Sequence, residues 1–592
     1  MPNLLQKASI ITTPTAYDNG LLNSVKPVSG ENLIAYSEDF SQSAWNKSNT
    51  SIQINTTTSP SGNLDGSTLT DNATSSIHRL RDAVSLSASA NYSLSVFAKK
   101  NTLSNIQLAL INTANSNTIS KVFDLENGVI GEELSQGGTT VSDAKIENYG
   151  NGWFRCIIVG QLNSSPNQYQ ITLATQSTGN SQSVKQVTYS GDGTGSIFLY
   201  GAQLERGSKA STYTPTNGTA IKNGSFDFTR GSSATRVNEQ GLIEDVTDTN
   251  LPRIDYLGGT GHILLEPQST NLQLRSQEFD NSVWNAQRAT ITANDAISPD
   301  GTLNAYKLTH TSGSSGYVFD TIPTVNSGDS RLISVFAKYI DDEVFKIVTF
   351  TDSGNAIFNL SNGTVTSVFG TITDAKIQNY GNGWYRCSCK YTATTTSTRN
   401  YGFYLDDISK QGVHIWGAQV EEQSFATSYI PTSGSTVTRS ADVCNNSGSS
   451  DLINSTEGVL YAEIAALSND GTFRMISISD GTNDNRVRIN YSATSNQIAA
   501  RVVDGGVTQV DFTHSLTDST DFLKLAIYYK NNDCAFWVNG IKIGTDTTAT
   551  MPSGLDTLNL NGGGGSPFYG KVKSVAVFKE ALTDAELQCL TS

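Results

Sequence analysis

Apolar and polar residues alternate with a period of two along many short runs, such as 96–99, 106–111 and 169–174, and Gly, Asn, Ser and Asp separate the runs. Successive side chains leave a strand on opposite faces, so each run predicts a half-buried strand. Short strands at near-regular spacing, with no helical periodicity between them, predict an all-β chain of antiparallel β-sandwiches of jelly-roll type. The pattern continues to the end of the sequence. A strand is expected at 459–464, clean alternation follows at 486–490 and 523–529, and Asn539-Gly540 links Phe536-Trp537-Val538 to Ile541-Lys542-Ile543 as a type I′ hairpin. After a further strand at 572–578, Thr583 and Glu586 make a capping box for one terminal helical turn.

The alternation is duplicated. NYGNGWFRC at 148–156 returns as NYGNGWYRC at 379–387, changed only from Phe154 to Tyr385. Each copy reads as a tight turn, with Gly150, Asn151 and Gly152 in the first, feeding a strand whose Trp is buried. Asn32 to Asn46 answers Asn271 to Asn285, pairing Trp45 with Trp284, and both are expected in the core. The stretch SVFAK occurs at 95–99 and 334–338, and YGAQLE at 200–205 answers WGAQVE at 416–421. The period is too long for a solenoid and marks two duplicated domains. Matching the anchors shows two deletions in the second copy, the usual variation of loops on a constant scaffold.

This organises the chain into an N-terminal arm at 1–31, a first jelly roll at 32–218, a small β connector at 219–270, a second jelly roll at 271–439 and an unrelated jelly roll at 440–592. The arm has too few apolar residues for a domain; it is either an attachment segment or a strand donated to a later element. In the connector, Glu239-Gln240-Gly241 is expected to turn a small hairpin.

Charged residues make up only 16% of the 592, and the net charge is −15 without a Lys/Arg cluster, which argues against general nucleic-acid binding. No apolar run is long enough to span a membrane, and the N-terminal residues lack the core of a secretory signal. The six cysteines lie apart and are expected as free, buried thiols. The five histidines have no ligand spacing, no nucleophile or phosphate-loop motif occurs, and Gly562 to Gly565 reads as a loop. Asp480 to Asn485 is rich in oxygen ligands, but it lacks the order of a calcium loop and is expected to be an Asp-Gly turn. Neither a cofactor nor a metal is expected, and catalysis is not.

The set NLIAYSEDF with Trp45, SVFAK, NYGNGWFRC and GAQLE with YTPT resembles the carbohydrate-binding-module-like jelly rolls of phage tail fibres and other virion appendages, over about 32–216 and 271–432. The connector is similar to one that follows an arm ending in an SV.P motif in such proteins. Here that motif is Ser24-Val25-Lys26-Pro27, so the first module reads as an insertion, with arm and connector packing together. The order of elements from 440, ending GKVKSVAVFKEALTDAEL, resembles the concanavalin A-like, laminin G-type jelly roll.

The resemblance implies a non-enzymatic virion protein, assembled in the host cytoplasm and oligomeric, often trimeric. It would contact other virion proteins through the arm and host surface polysaccharide or glycoconjugate through its jelly rolls. A head fibre, capsid decoration or baseplate spacer without glycan binding is the alternative, and a capsule depolymerase is another. Sugars stack on exposed aromatic rings, and the candidate platforms are Trp416, its counterpart Tyr200, Trp537 and Tyr569.

Overall fold

The repeated nonapeptide folds identically in both copies. Asn151 and Asn382 adopt φ of 51°, flanked by glycines with φ near 80°. Asn148 Oδ1 accepts from Gly150 N at 2.8 Å, as Asn379 Oδ1 does from Gly381 N at 2.7 Å. The indole of Trp153 then donates to Thr58 O and that of Trp384 to Ile297 O, each at 3.0 Å. Arg155 and Arg386 lie over Phe97 and Phe336 and donate to Ser95 and Ser334. The stretch is a structural fixture: a turn, a buried Trp and an Arg clamp.

The structure, a computed structural model, describes residues 7–14, 17, 18, 21, 22, 31–84, 86, 91–113, 117–137, 139, 141–162, 166–175, 187–207, 209–218, 220, 226–249, 251–351, 353–562 and 566–592. Most of the arm, its Ser24 to Pro27 motif and most of the run Gly562 to Gly565 lie outside these. The described residues are overwhelmingly antiparallel strand, with one helix of eight residues at Asp584–Thr591, so the chain is all-β. The predicted box caps that helix: Thr583 accepts from Glu586 N, and Glu586 accepts from Thr583 N.

Two compact units form. One holds 17–227 with 446–452; the other holds 1–16, 228–445 and 453–592. The first module is therefore an insertion in the chain of the second unit. Each module is a pair of six-stranded antiparallel sheets with the same strand order. Their inner faces enclose the cores, with Phe40, Trp45 and Tyr169 in the first and Phe279, Trp284 and Tyr401 in the second.

In the second unit, the terminal jelly roll has a five-stranded sheet and an eight-stranded one. The larger sheet takes in strands from beyond the predicted boundary at 440. Connector strands Arg253–Asp255 and His262–Leu265 extend it beside Gly570–Phe578, and Ala8–Thr12 pairs with the other half of that same strand. At least this part of the arm is a donated strand, and arm and connector share one sheet. The connector hairpin forms as expected, Ala234–Val237 against Ile243–Val246, with Gly241 at φ 77°. All six cysteines are free, and five are buried.

Candidate functional site

With each core between its two sheets, the modules offer a ligand their outer faces. In the second module one sheet runs through Asn285–Gln287, Gly316–Val325, Ser397–Leu405, Val344–Thr349 and Gly354–Asn359. Val318, Phe345, Ile347, Tyr401 and Phe403 point into the core. The alternate positions are also aromatic. Tyr317 stands opposite Tyr404, which stands opposite Lys346, and in the next row Phe319 stands opposite Gly402, with Val348 beyond. Phe350 follows Thr349 onto the same face.

Tyr317, Phe319, Phe350 and Tyr404 are all half-buried, and each ring lies against two or more of the others. The Tyr317 and Tyr404 rings stack with centroids 4.2 Å apart and planes 8° from parallel. Phe350 lies 5.5 Å from both and 5.4 Å from Phe319. Gly402 makes room for this, since a Cβ there would come within 2.9 Å of the Phe319 Cβ. Burial, then the Tyr317 neighbour, holds the Tyr404 hydroxyl above its usual range, so it stays a donor at any working pH.

Polar groups rim the rings. The Arg288 guanidinium sits 5.5 Å from the Tyr317 centroid while its Nε donates to Ser315 O. Lys346 pairs with Asp406, whose other oxygen accepts from Ser315 Oγ at 3.1 Å. Thr321 Oγ1 donates to Asn400 Oδ1 at 2.8 Å. Aromatic surface bordered by fixed donors and acceptors is the chemistry that holds a sugar, with C–H faces against rings and hydroxyls on the rim.

The same sheet of the first module carries Arg79, Arg81, Gln170, Thr172 and Gln107 on the corresponding outer face. Several of these are engaged on the sheet itself: Arg79 Nη1 donates to Gln170 Oε1 at 3.1 Å, and Gln107 Nε2 to Ser120 Oγ at 3.0 Å. Part of the face is also covered. Leu134 and Val187 pack on Val122 and Ala174, and Val187 N donates to Gln107 Oε1. Those covering residues lie in the two loops that differ most between the copies: 134–140 against 370–371, and 175–195 against 406–412.

The four aromatic residues expected as platforms are placed elsewhere, and three are buried. Trp416 is 0% exposed, among Phe336, Trp384 and Tyr429, with Val237 and Ile243 of the connector hairpin over it. Tyr200 is held by Phe97, Trp153 and Tyr213, and its hydroxyl donates to Glu38 at 2.7 Å. Trp537 lies beneath the donated strand and the terminal helix, with Ala8, Ile11, Leu582 and Leu587. A buried ring has no face for a sugar, so these three are core residues. Tyr569 alone is half-buried, and none of the four joins the cluster at Tyr317. The sequence signal for that cluster was Tyr317-Val318-Phe319, apolar at both parities of a strand, which leaves aromatics outside whichever way the strand faces.

Among the described residues, no group of three or more His, Cys, Asp and Glu is placed to hold a metal. In the turn at 480–485, Asp480 Oδ1 accepts from Thr482 N and Oγ1, and Oδ2 from Asn485 Nδ2.

Residues 449–588 match the family model of the concanavalin A-like lectin/glucanases superfamily, so the terminal jelly roll is a concanavalin A-like domain. No curated protein matches the chain. Among solved structures, it is similar to the CBM40 of Ruminococcus gnavus IT-sialidase bound to α2,3-sialyllactose, at 16% identity and TM-score 0.22, over 25% of this chain and 94% of that one. It is also similar to the CBM22 tandem of Paenibacillus barcinonensis Xyn10C, at 9% and 0.18, over 67% and 99%. Mouse laminin α1 domains LG4-5 match at 12% and 0.17, over 44% and 86%. At these identities and scores the likeness carries no weight for function.

Proposed function

We propose that this chain is a non-enzymatic glycan-binding protein whose second module recognises cell-surface polysaccharide or glycoconjugate through Tyr317, Phe319, Phe350 and Tyr404. The observation that carries the reading is the aromatic outer face itself. Four rings stand outside a complete core, where burial gives no reason for them, and they are ringed by Arg288, Lys346, Asp406 and Asn400. A concanavalin A-like domain on the same chain is compatible with a role in binding.

On the motif set of its repeats, the protein is a structural component of a phage virion, a tail fibre or other appendage, held by other virion proteins and working as a homo-oligomer such as a trimer. Multivalency would turn weak single-site contacts into useful avidity. The test is binding of the purified full chain to host cells and their extracted polysaccharides, with the double variant Tyr317→Ala/Tyr404→Ala beside it. Saturable binding lost in the folded variant supports the reading; equal binding by the variant overturns it. A purely structural spacer is the second reading, favoured by the exposed Val368 and Phe369 at the edge of the same sheet, which suit a protein contact. Absence of any glycan binding by a folded oligomer would select it.

A further inference from the structure

The second unit contains a partly open cleft of about 110 Å³, away from the aromatic face. One wall is the sheet shared by connector and terminal domain. Asp255 pairs with His262, and Lys571 stands opposite Leu264, which puts the three side chains on one face. The other walls bring Tyr380, Phe425, Thr427 and Ser428 of the second module and Leu467 of the terminal domain.

Most polar groups there are engaged. Asp255 accepts from Val237 N at 2.8 Å and Leu257 N at 2.9 Å. Glu266 accepts from Ser428 N and Oγ, both at 2.7 Å, and from Arg253 at 2.8 Å. Arg386 donates to Thr427 O and Ser334 Oγ.

His262 and Lys571 stand apart from this network. His262 is 1% exposed, and its Nδ1 lies 3.2 Å from Thr260 O, which can only accept. The proton is therefore on Nδ1, and Nε2 presents a lone pair. Nε2 has no hydrogen-bond partner, and the neighbouring Asp255 Oδ1, 3.6 Å away, is an acceptor too. Burial disfavours the charged imidazole, and Lys571 and Lys573 oppose it further, against the pull of Asp255. The Lys571 ammonium lines the cleft and makes no hydrogen bond or ion pair among the described residues. A buried acceptor without a donor stands on one sheet face with an ammonium that Asp255 and Glu266 act on without pairing with it, and together they are two halves of a recognition site.

We propose that this cleft binds a small hydroxycarboxylate, its carboxylate on the Lys571 ammonium and a hydroxyl donating to His262 Nε2. Phe425 and Leu467 cover the carbon skeleton, and Thr427 and Ser428 border the remaining hydroxyls. The ligand is either a free hydroxy acid or the uronate end of a saccharide, since both present the same pair of groups. The site stands independently of the aromatic face.

Isothermal titration of the full chain with D-glycerate and with D-glucuronate tests it, with acetate lacking the hydroxyl and D-glucose lacking the carboxylate. Saturable binding of a hydroxycarboxylate is expected, at least tenfold tighter than acetate or glucose. Binding of glycerate, with or without glucuronate, assigns the free acid; binding of glucuronate alone assigns the saccharide end. Lys571→Gln and His262→Phe should each weaken it tenfold or more, and Tyr404→Ala should not change it. Thermal unfolding checks that the variants fold; if His262→Phe does not, Lys571→Gln decides. No saturable binding of either acid, glucose binding as well as glucuronate, or unchanged affinity in Lys571→Gln would overturn the proposal.

Discussion

The two modules share their turns, strand order and buried Trp and Arg anchors, yet they treat the outer face of one sheet in opposite ways. In the first module that face is Arg, Gln and Thr, partly tied by side-chain hydrogen bonds and partly roofed by Leu134 and Val187. In the second the roofing loops are shorter, and Tyr317, Phe319, Phe350 and Tyr404 lie half-buried on that face. Duplication preserved what specifies the fold and left the outer face to diverge. Repetition of a residue in both copies is thus a mark of structure, and the search for a site belongs at the positions that do not repeat.

The contrast can be broken most forcefully through the core. Trp416→Ala should destabilise the second unit by roughly 3 to 5 kcal/mol in denaturant unfolding, because the ring is wholly enclosed. A variant of native stability that had lost only glycan binding would move the site back to Trp416.

Acid should separate the units next. Burial raises the Glu31 carboxyl from 4.5 to about 7 in the first unit. Its folded state takes up a proton that the unfolded chain releases, so stability rises as pH falls from above 7 to 4.5, by on the order of 3 kcal/mol. In the second unit, burial pushes Glu266 up, but Arg439 and Arg253 outweigh it and hold the carboxyl at about 2. Its contribution is complete above pH 4.5 and is lost only as pH falls towards 2. Calorimetry between pH 8 and 5 should show a rising transition for the first unit, abolished by Glu31→Gln, with no such rise from Glu266.

Opening the roof is a smaller perturbation. Val187→Asp places a charge against Val122, Leu134 and Ala174 and should cost the first unit about 2 to 3 kcal/mol, read as a lower unfolding midpoint with glycan binding intact. Smallest in energy is the aromatic face. Tyr404→Ala should weaken glycan binding about tenfold, roughly 1.4 kcal/mol, while Arg81→Ala in the first module leaves affinity unchanged. Equal losses would mean that both faces bind.

The fold was legible because period-2 alternation, Asn-Gly turns and the duplicated anchors are local signals that tertiary packing did not override. The terminal capping box and the Asn539-Gly540 hairpin formed as read. The site was less legible. Trp416 and Trp537 were candidate platforms because alternation shows which side of a strand a residue takes but not what lies on that side. A connector hairpin covers one, and a strand and a helix cover the other. The four rings of the second module come from two strands and the end of a third, and their meeting depends on register and on the bare backbone of Gly402.

Strand Ala8–Thr12 has its partners at Val575 to Phe578. It is made before them and must wait for the chain between, about half a minute to two minutes at ordinary translation speeds. Until then the terminal domain has no complete sheet, because Gly570–Phe578, which joins Ala8–Thr12 to Glu457–Ala466, is not yet made. The inserted module contains both of its sheets within 46–206 and can fold during that wait. Assembly is therefore ordered in time: the inserted module first, and the closing of the terminal sheet last, when a strand made before that module is finally used.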